Sequence, residues 1–256
     1  HVKLMPDVDS TQTGEHSLLF STIGSNAYCE HRPEMNFSGS FTLECWIRST
    51  AGTGGAKRNL IVKGDRDEDG YHYGLNLTAG GGLEMYFRSP KGFRGAETEP
   101  GTFSAEEEWI HACGVFDTER DEIRLYRNGE LLHTEQDMEG ELDSPDDGAL
   151  RLAYAAGFHE RDHFFGLMDE VRIWNTVRSS EQIQSSYCRP ISALNETEGL
   201  VAAWSFSQDT SVENEGQKAF RGIAPGNTWL MGVFDGAVWF PMEALLGRAC
   251  EEVSGE

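Results

Sequence analysis

The chain has 256 residues, of which 21 are basic and 43 acidic, giving a formal net charge of −22. Such a negative field repels a phosphate backbone, which excludes nucleic acid as a partner, whereas divalent cations and cationic partners stay compatible with it. No run approaches the roughly 18 apolar residues of a membrane span, so we predict no membrane insertion.

Short alternating or aromatic-rich runs, separated by Gly, Asn, Asp and Ser clusters, recur along the chain. This pattern is typical of strands in an antiparallel β-sandwich. In chain order it predicts strands at residues 17–20, 27–31, 41–48, 59–63, 71–78, 83–88, 109–116, 122–127, 130–135, 150–154 and 167–174. A glycine triplet at residues 80–82 predicts a hairpin, and Asn128-Gly129 is a type I′ turn signal.

Residues 179–187 form the one stretch that looks helical. Ser179 or Ser180 can cap this short helix, and Glu181 and Gln182 suit its first turn. Strands and helices do not alternate along the chain, so nucleotide-binding folds built from βαβ units are excluded.

Several of these runs resemble, in order and spacing, the motifs of laminin-G-like jelly rolls. They are HSLLFSTIGSNAYCE at 16–30, FSGSFTLECWIR at 37–48, WIHACGVFD at 109–117, IRLYRNG at 123–129 and GLMDEVRIWN at 166–175. The resemblance covers about residues 14–188 and implies an all-β fold, an antiparallel two-sheet β-sandwich of the laminin-G/concanavalin A-like type. Residues 199–206 (GLVAAWSF) also resemble a family segment, but about 70 residues cannot close a second jelly roll. We therefore expect residues 189–256 to be a C-terminal extension packed on the same sandwich.

The resemblance implies a sandwich whose loops carry the function, and the fold alone does not decide between recognition and catalysis. Relatives bind glycans or protein partners, commonly with one structural calcium, although some are glycosidases or lyases. A glycosidase needs paired carboxylates on one strand face, and no E-x-D-x-E pattern is present. We therefore predict a non-enzymatic, extracellular module of a larger protein that binds carbohydrate or a glycoconjugate. Protein–protein adhesion is the alternative, and a carbohydrate-active hydrolase or lyase is less favoured; the oligomeric state is left open.

Two calcium sites are predicted. In relatives, an aspartate that matches Asp169 lies near a calcium held by the loop that maps to Asn36, Ser38 and Ser40. The alternative is that Asp169 only hydrogen-bonds loop amides. The second candidate is Asp65, Asp67 and Asp69, where alternate carboxylates before Gly70 can wrap a hard cation. The alternative there is a solvated acidic loop.

The ligand-binding prediction falls on a basic, aromatic loop at residues 87–99. It contains Arg88, Phe93 and Arg94, which stand out on an acidic protein and could receive a carboxylated glycan. His159 and Arg161 belong to a polar tip that could join the same rim. An ordinary mobile loop is the alternative reading for both segments.

Further residues carry structural or extracellular expectations. His111 matches a family histidine that makes a structural hydrogen bond, and Trp46, Trp109, Trp174 and Phe116 are expected in the core. Three sequons predict glycosylation at Asn36, Asn76 and Asn195. Together with five cysteines they favour secretion, and we predict one disulfide between Cys188 and Cys250.

Overall fold

The computed structural model describes residues 16–50, 56–64, 71–104, 108–138, 140, 142, 147–154, 162–190, 194, 196–206, 211–214, 217–222, 230–234 and 237–241. These residues form two antiparallel sheets with one short α-helix. The fold is the β-sandwich that the sequence predicts.

Twelve strands precede the helix. They are β1 (His16–Phe20), β2 (Asn26–Cys29), β3 (Phe41–Ser49), β4 (Arg58–Lys63), β5 (Tyr73–Leu77), β6 (Leu83–Ser89), β7 (Gly92–Glu97), β8 (Ile110–Asp117), β9 (Glu122–Arg127), β10 (Glu130–Glu135), β11 (Leu150–Leu152) and β12 (Gly166–Trp174). A 3-10 turn (Pro33–Met35) lies between β2 and β3, and helix α1 (Ser180–Ser186) follows β12. The remaining strands are β13 (Leu200–Trp204), β14 (Ser211–Asn214), β15 (Gln217–Arg221), β16 (Leu230–Phe234) and β17 (Ala237–Pro241).

The eight-stranded sheet has the order β10-β9-β8-β3-β12-β1-β17, and β13 also pairs with β12. The long strand β12 achieves this by pairing its first half with β1 and its second half with β13. The nine-stranded sheet has the order β14-β15-β16-β2-β11-β4-β5-β6-β7. The C-terminal segment thus contributes strands to both sheets.

The alternation of core-facing and outward-facing residues along β5 and β6 shows why these segments fold as strands. Tyr73, Leu75 and Leu77 on β5 belong to the buried cluster between the sheets, as do Leu83, Met85 and Phe87 on β6. The residues between them therefore point away from the core, because successive side chains of a strand face opposite ways. The core centre is aromatic: the Phe87 and Phe116 ring centroids, from opposite sheets, lie 4.1 Å apart.

The segment predicted as a binding loop is instead largely a strand. Residues Gly92–Glu97 form β7, the edge strand of the nine-stranded sheet, which pairs with β6 across a two-residue turn at Pro90 and Lys91. Glycines and solvent-facing polar residues conceal the alternation that would have marked a strand. The loop prediction for residues 87–99 is therefore wrong for most of its length.

Helix α1 packs on the outside of the eight-stranded sheet. Its N-terminus carries the predicted capping box, in which Ser179 Oγ accepts from Gln182 N and the Gln182 side chain accepts from Ser179 N. Trp46 and Trp174 are buried beneath this region rather than between the sheets, since the Trp46 indole donates to the Tyr187 carbonyl at 2.9 Å. Within the described residues, no helix has the length and apolarity to span a membrane.

Candidate functional site

A buried polar cluster lies between the eight-stranded sheet and α1. Glu44 on β3 accepts hydrogen bonds from His111 Nε2 at 2.9 Å and from Trp174 Nε1 at 2.7 Å, and Arg172 Nη1 is 3.8 Å from it. Burial alone would raise the pKa of Glu44, but Arg172 and the His111 hydrogen bond outweigh it and lower the pKa to about 2. Burial lowers the pKa of His111, so its ring is neutral. Glu44 and His111 are both about 1% exposed or less, so this cluster is structural.

A β-bulge in β12 places two further carboxylates at the same sheet. Asp169 is in register with Trp46, and Arg172 is in register with Glu44. β12 therefore advances three residues over a stretch in which β3 advances two, which defines the bulge. Glu170 has a φ of 48°, which turns its carboxylate toward the Arg172 guanidinium at 3.0 Å. Glu170 and Glu44 thus share one arginine, and neither offers a free carboxylate for acid–base chemistry.

The four residues of the first predicted calcium site do not come together. Asp169 accepts from the Glu170 amide at 2.7 Å and from Ser17 Oγ at 3.2 Å. The loop that contains Asn36, Ser38 and Ser40 ends where β3 begins, at Phe41. Trp46, the register partner of Asp169, lies five residues further along β3, so Asp169 is about 17 Å from that loop. The prediction that Asp169 shares a cation with Asn36, Ser38 and Ser40 is therefore wrong.

Ser40 has a different partner at that end of the sheet. Its hydroxyl pairs with Thr118 Oγ1 at 2.9 Å and accepts from the Thr118 amide. The second calcium candidate, Asp65, Asp67 and Asp69, lies outside the described residues and stays a prediction. Within the described residues, no group of three or more His, Cys, Asp or Glu side chains is arranged to hold a metal ion.

The outer face of the nine-stranded sheet carries the most distinctive polar and aromatic surface. Register places six side chains of β5, β6 and β7 there, which we call the β5–β7 face: Asn76, Glu84, Tyr86, Arg88, Phe93 and Glu97. Arg88 and Phe93 are direct cross-strand partners, and Phe93 is 53% exposed. The Phe93 and Tyr86 rings meet edge to face with centroids 5.9 Å apart.

Two glycines shape the surface around Tyr86. Gly74 and Gly95 are its register partners on β5 and β7. A Cβ on Gly74 would lie 2.5 Å from Tyr86 Oη and 2.7 Å from Cζ, so the ring crosses the β5 backbone directly. A Cβ on Gly95 would lie 2.9 Å from the Met85 carbonyl oxygen and 3.1 Å from Tyr86 Cβ. The ring therefore lies flat on the sheet, against Val62 and Tyr71.

Polar groups border this ring on one side. Lys57 Nζ contacts both carboxylate oxygens of Glu84 at 2.7 Å, and Asn76 Nδ2 donates to Glu84 at 3.3 Å. Burial, followed by the charge of Glu84, raises the pKa of Tyr86, so its hydroxyl is held protonated as a donor. The hydroxyl lies near the Asn76 amide, yet among the described residues neither Tyr86 Oη nor Asn76 Oδ1 makes a hydrogen bond of good geometry.

The structure separates the predicted ligand residues. Arg88 and Phe93 come together on the β5–β7 face, but Arg94 is the register partner of the core residue Phe87 and lies on the opposite side of β7. The prediction that all three act together is wrong for Arg94. His159 and Arg161 lie outside the described residues and stay predictions.

Sequence reasoning missed Asn76, Glu84 and Tyr86 as candidate site residues. Each occupies the solvent-side position of an alternating strand, which is a weak signal by itself. The stronger signal would have been Gly74 and Gly95, since a glycine within a strand indicates close approach of another group. Identifying Tyr86 as that group required the strand register.

The predicted modification sites have different surroundings. Asn76 is 4% exposed within β5, so the folded domain leaves no room for a glycan there, and that prediction is wrong. Asn36 is half-buried after the 3-10 turn, and its glycosylation stays a prediction. Asn195 and Cys250 lie outside the described residues, so that sequon and the Cys188–Cys250 bridge also stay predictions. Cys29, Cys45 and Cys113 are buried free thiols.

Comparison with known proteins gives one family match and several structural likenesses. The Laminin_G_3 family, described as the concanavalin A-like lectin/glucanases superfamily, matches residues 23–184. Pentraxin-related protein PTX3 is 32% identical in Mus musculus and 31% in Homo sapiens, each over 85 residues. That alignment covers 30% of this chain and 22% of PTX3, so it spans about a fifth of these curated relatives.

Solved structures share the fold at low sequence identity. A Bacteroides ovatus structure assigned as a carbohydrate binding protein has a TM-score of 0.67 and 20% identity, over 91% of this chain and 61% of that one. The native heptameric SAP-like pentraxin of Limulus polyphemus has a TM-score of 0.61 and 10% identity, over 93% and 99%. Ruminococcus gnavus IT-sialidase CBM40 has a TM-score of 0.53 and 17% identity, over 66% and 95%.

Proposed function

This chain belongs to the concanavalin A-like lectin/glucanase superfamily, and from that premise we propose that it binds carbohydrate through the β5–β7 face. The observation that carries the proposal is Phe93, which is 53% exposed and lies edge to face against Tyr86 in the same row as Arg88. A sugar has an apolar C–H face and a polar rim, so it requires an aromatic surface bordered by a few fixed polar groups.

Each part of the β5–β7 face would have its own role. Phe93 supplies an exposed ring on which a sugar can stack. Tyr86 supports Phe93 through the edge-to-face contact, and its own hydroxyl is buried. Glu84, fixed by Lys57 and by the Asn76 amide, accepts hydrogen bonds from sugar hydroxyls. Such groups are preorganised because the sheet fixes their backbones.

A glycan array with three proteins tests the proposal. We expect the native chain to bind a defined set of glycans, and F93A to lose at least tenfold in affinity for them, about 1.4 kcal/mol. The matched control is L131A, which truncates another exposed apolar side chain, 44% exposed, on β10 of the other sheet. Equal binding by F93A and the native chain would refute the assignment of the face.

A protein partner is the second candidate, and a specific observation favours it. β10 is the edge strand of the eight-stranded sheet, and Leu131 and Leu132 on it are 44% and 38% exposed. An unpaired strand edge with exposed apolar residues is a template for another chain. Under this function, L131A would weaken capture of one protein, F93A would not, and free sugars would fail to compete.

We propose that the module carries out no catalysis. Support comes from the carboxylates of the eight-stranded sheet, because Glu44 and Glu170 are both tied to Arg172 beneath α1. A retaining or inverting glycosidase needs two carboxyl groups facing the same bound sugar. Release of reducing ends from glucan or uronate polymers would contradict this part of the proposal.

An extracellular setting within a larger protein completes the proposal. Three of the five cysteines are buried free thiols in the sheets, which leaves Cys188 and Cys250 for the proposed bridge. This chain covers 61% of the Bacteroides ovatus structure, so in that protein a similar fold is part of a longer chain. Calcium is retained in the proposal only for Asp65, Asp67 and Asp69, on their sequence spacing.

A further inference from the structure

Positive charge is concentrated at one hairpin of this acidic chain. Residues 85–96, which contain most of β6 and β7, include three basic residues and no acidic one, although the chain carries −22 overall. Arg88 is half-buried on the β5–β7 face beside Phe93, and Lys91 is exposed in the turn that joins the two strands. Arg94 lies on the other side of β7 and does not contribute to this face. Among the described residues of β5, β6 and β7, this end of the β5–β7 face carries basic side chains and no acidic one.

The other end of the same face carries acidic groups. Glu84 and Glu97 are direct cross-strand partners, four residues along the strands from Arg88 and Phe93. At about 3.4 Å per residue, the acidic row lies roughly 14 Å from the basic row. Lys57 neutralises Glu84, whereas the exposed Glu97 has no cationic partner among the described residues. Charge along the face thus changes sign across the Tyr86 row.

From this gradient we infer that the β5–β7 face selects glycans that end in a single carboxylated sugar, with the carboxylate at the Arg88 and Lys91 end and neutral sugars toward Glu84. Arginine is suited to this role because its planar fork matches a carboxylate. A polymer charged at every unit would press negative groups against Glu97 and the acidic field of the chain, and like-charge contacts are strongly unfavourable. The inference rests on the proposed carbohydrate function.

The test uses an array of matched glycan pairs with and without a terminal sialic or uronic acid, together with polyuronates and heparin fragments. We expect the terminally acidic member of each bound pair to bind at least tenfold tighter than its neutral partner, and tighter than polyuronates of equal length. This advantage should shrink as salt is raised, because ionic strength screens exposed charges.

Variants locate the effect. R88Q and K91Q should each reduce the preference for the acidic member, and R88K should retain part of it. R120Q removes a 68% exposed arginine at the opposite sheet and should leave the preference unchanged. E97Q should improve binding of polyuronates. Melting curves of all variants identify any that fail to fold. If the Arg88 variants fail to fold, K91Q alone tests the inference, because Lys91 is exposed.

The outcomes separate the inference from the function on which it rests. Equal binding of acidic and neutral partners, with F93A still defective, overturns the inference and leaves carbohydrate binding intact. Strongest binding to polyuronates or heparin also overturns it. An array on which no glycan binds overturns both.

Discussion

Replacing Glu44 with glutamine should destabilise the domain by about 3 kcal/mol. The change keeps the size of a side chain that is fully buried and removes only its charge. The lowering of its pKa from 4.5 to about 2 corresponds to roughly that free energy in favour of the ionised form. Breaking a buried ion pair by altering one partner costs a similar amount, about 3–5 kcal/mol, because Arg172 keeps its charge with less compensation.

Urea unfolding of E44Q and the native protein measures this directly, with the midpoint shift read at unchanged m-value. The melting temperature should fall by roughly 6–12 °C, since about 1 kcal/mol moves a domain of this size by about 2–4 °C. The matched control is E108Q, which makes the same chemical change at a 69% exposed residue 4.0 Å from Arg127. The control should cost less than about 1 kcal/mol. An E44Q variant no less stable than E108Q would refute the reasoning.

Three further predictions concern pH, packing and metal. The free energy of unfolding should decline as pH falls below about 6.5, and again as it falls from about 4.5 toward 2. The reason is that folding lowers the pKa of both His111 and Glu44, so the folded state binds fewer protons than the unfolded chain. A urea midpoint that does not change with pH would contradict this. G74A should lower the free energy of unfolding, measured in urea, by about 1–3 kcal/mol, because its methyl group would meet the Tyr86 ring. The control G39A has open space around its Cβ and should stay within about 0.5 kcal/mol of the native protein. Equal urea midpoints for the two variants would exclude the ring contact. A chelator should lower the melting temperature if the acidic segment before β5 holds calcium, and superimposable melting curves would remove calcium from the proposal.

The strands predicted from alternation and turn residues correspond to described strands from β1 to β12, apart from β7. Alternation succeeds where one strand face is buried, as in β5 and β6. It fails for β7 because Gly92, Gly95 and exposed Phe93 leave no contrast between the two sides of an edge strand. The C-terminal strands were not located because their pairing partners lie far away in the chain: β17 pairs with β1, and β16 with β2.

The candidate site was predicted only in part, for a related reason. Arg88 and Phe93 were found from composition, and register then placed them side by side. Tyr86 was missed because its position over Gly74 depends on pairing between strands rather than on local sequence. The Asp169 calcium prediction failed for a different reason. The resemblance to the family supplied the other calcium ligands, and the register of β12 and β3 holds those residues far from Asp169.

The most direct test of the central claim is a crystal structure of the chain soaked with the tightest glycan from the array. We expect sugar density on the outer face of β5–β7, with one ring stacked on Phe93 and polar contacts to Glu84 and Arg88. Density at the β10 edge or beside α1, with the β5–β7 face empty, would contradict the account.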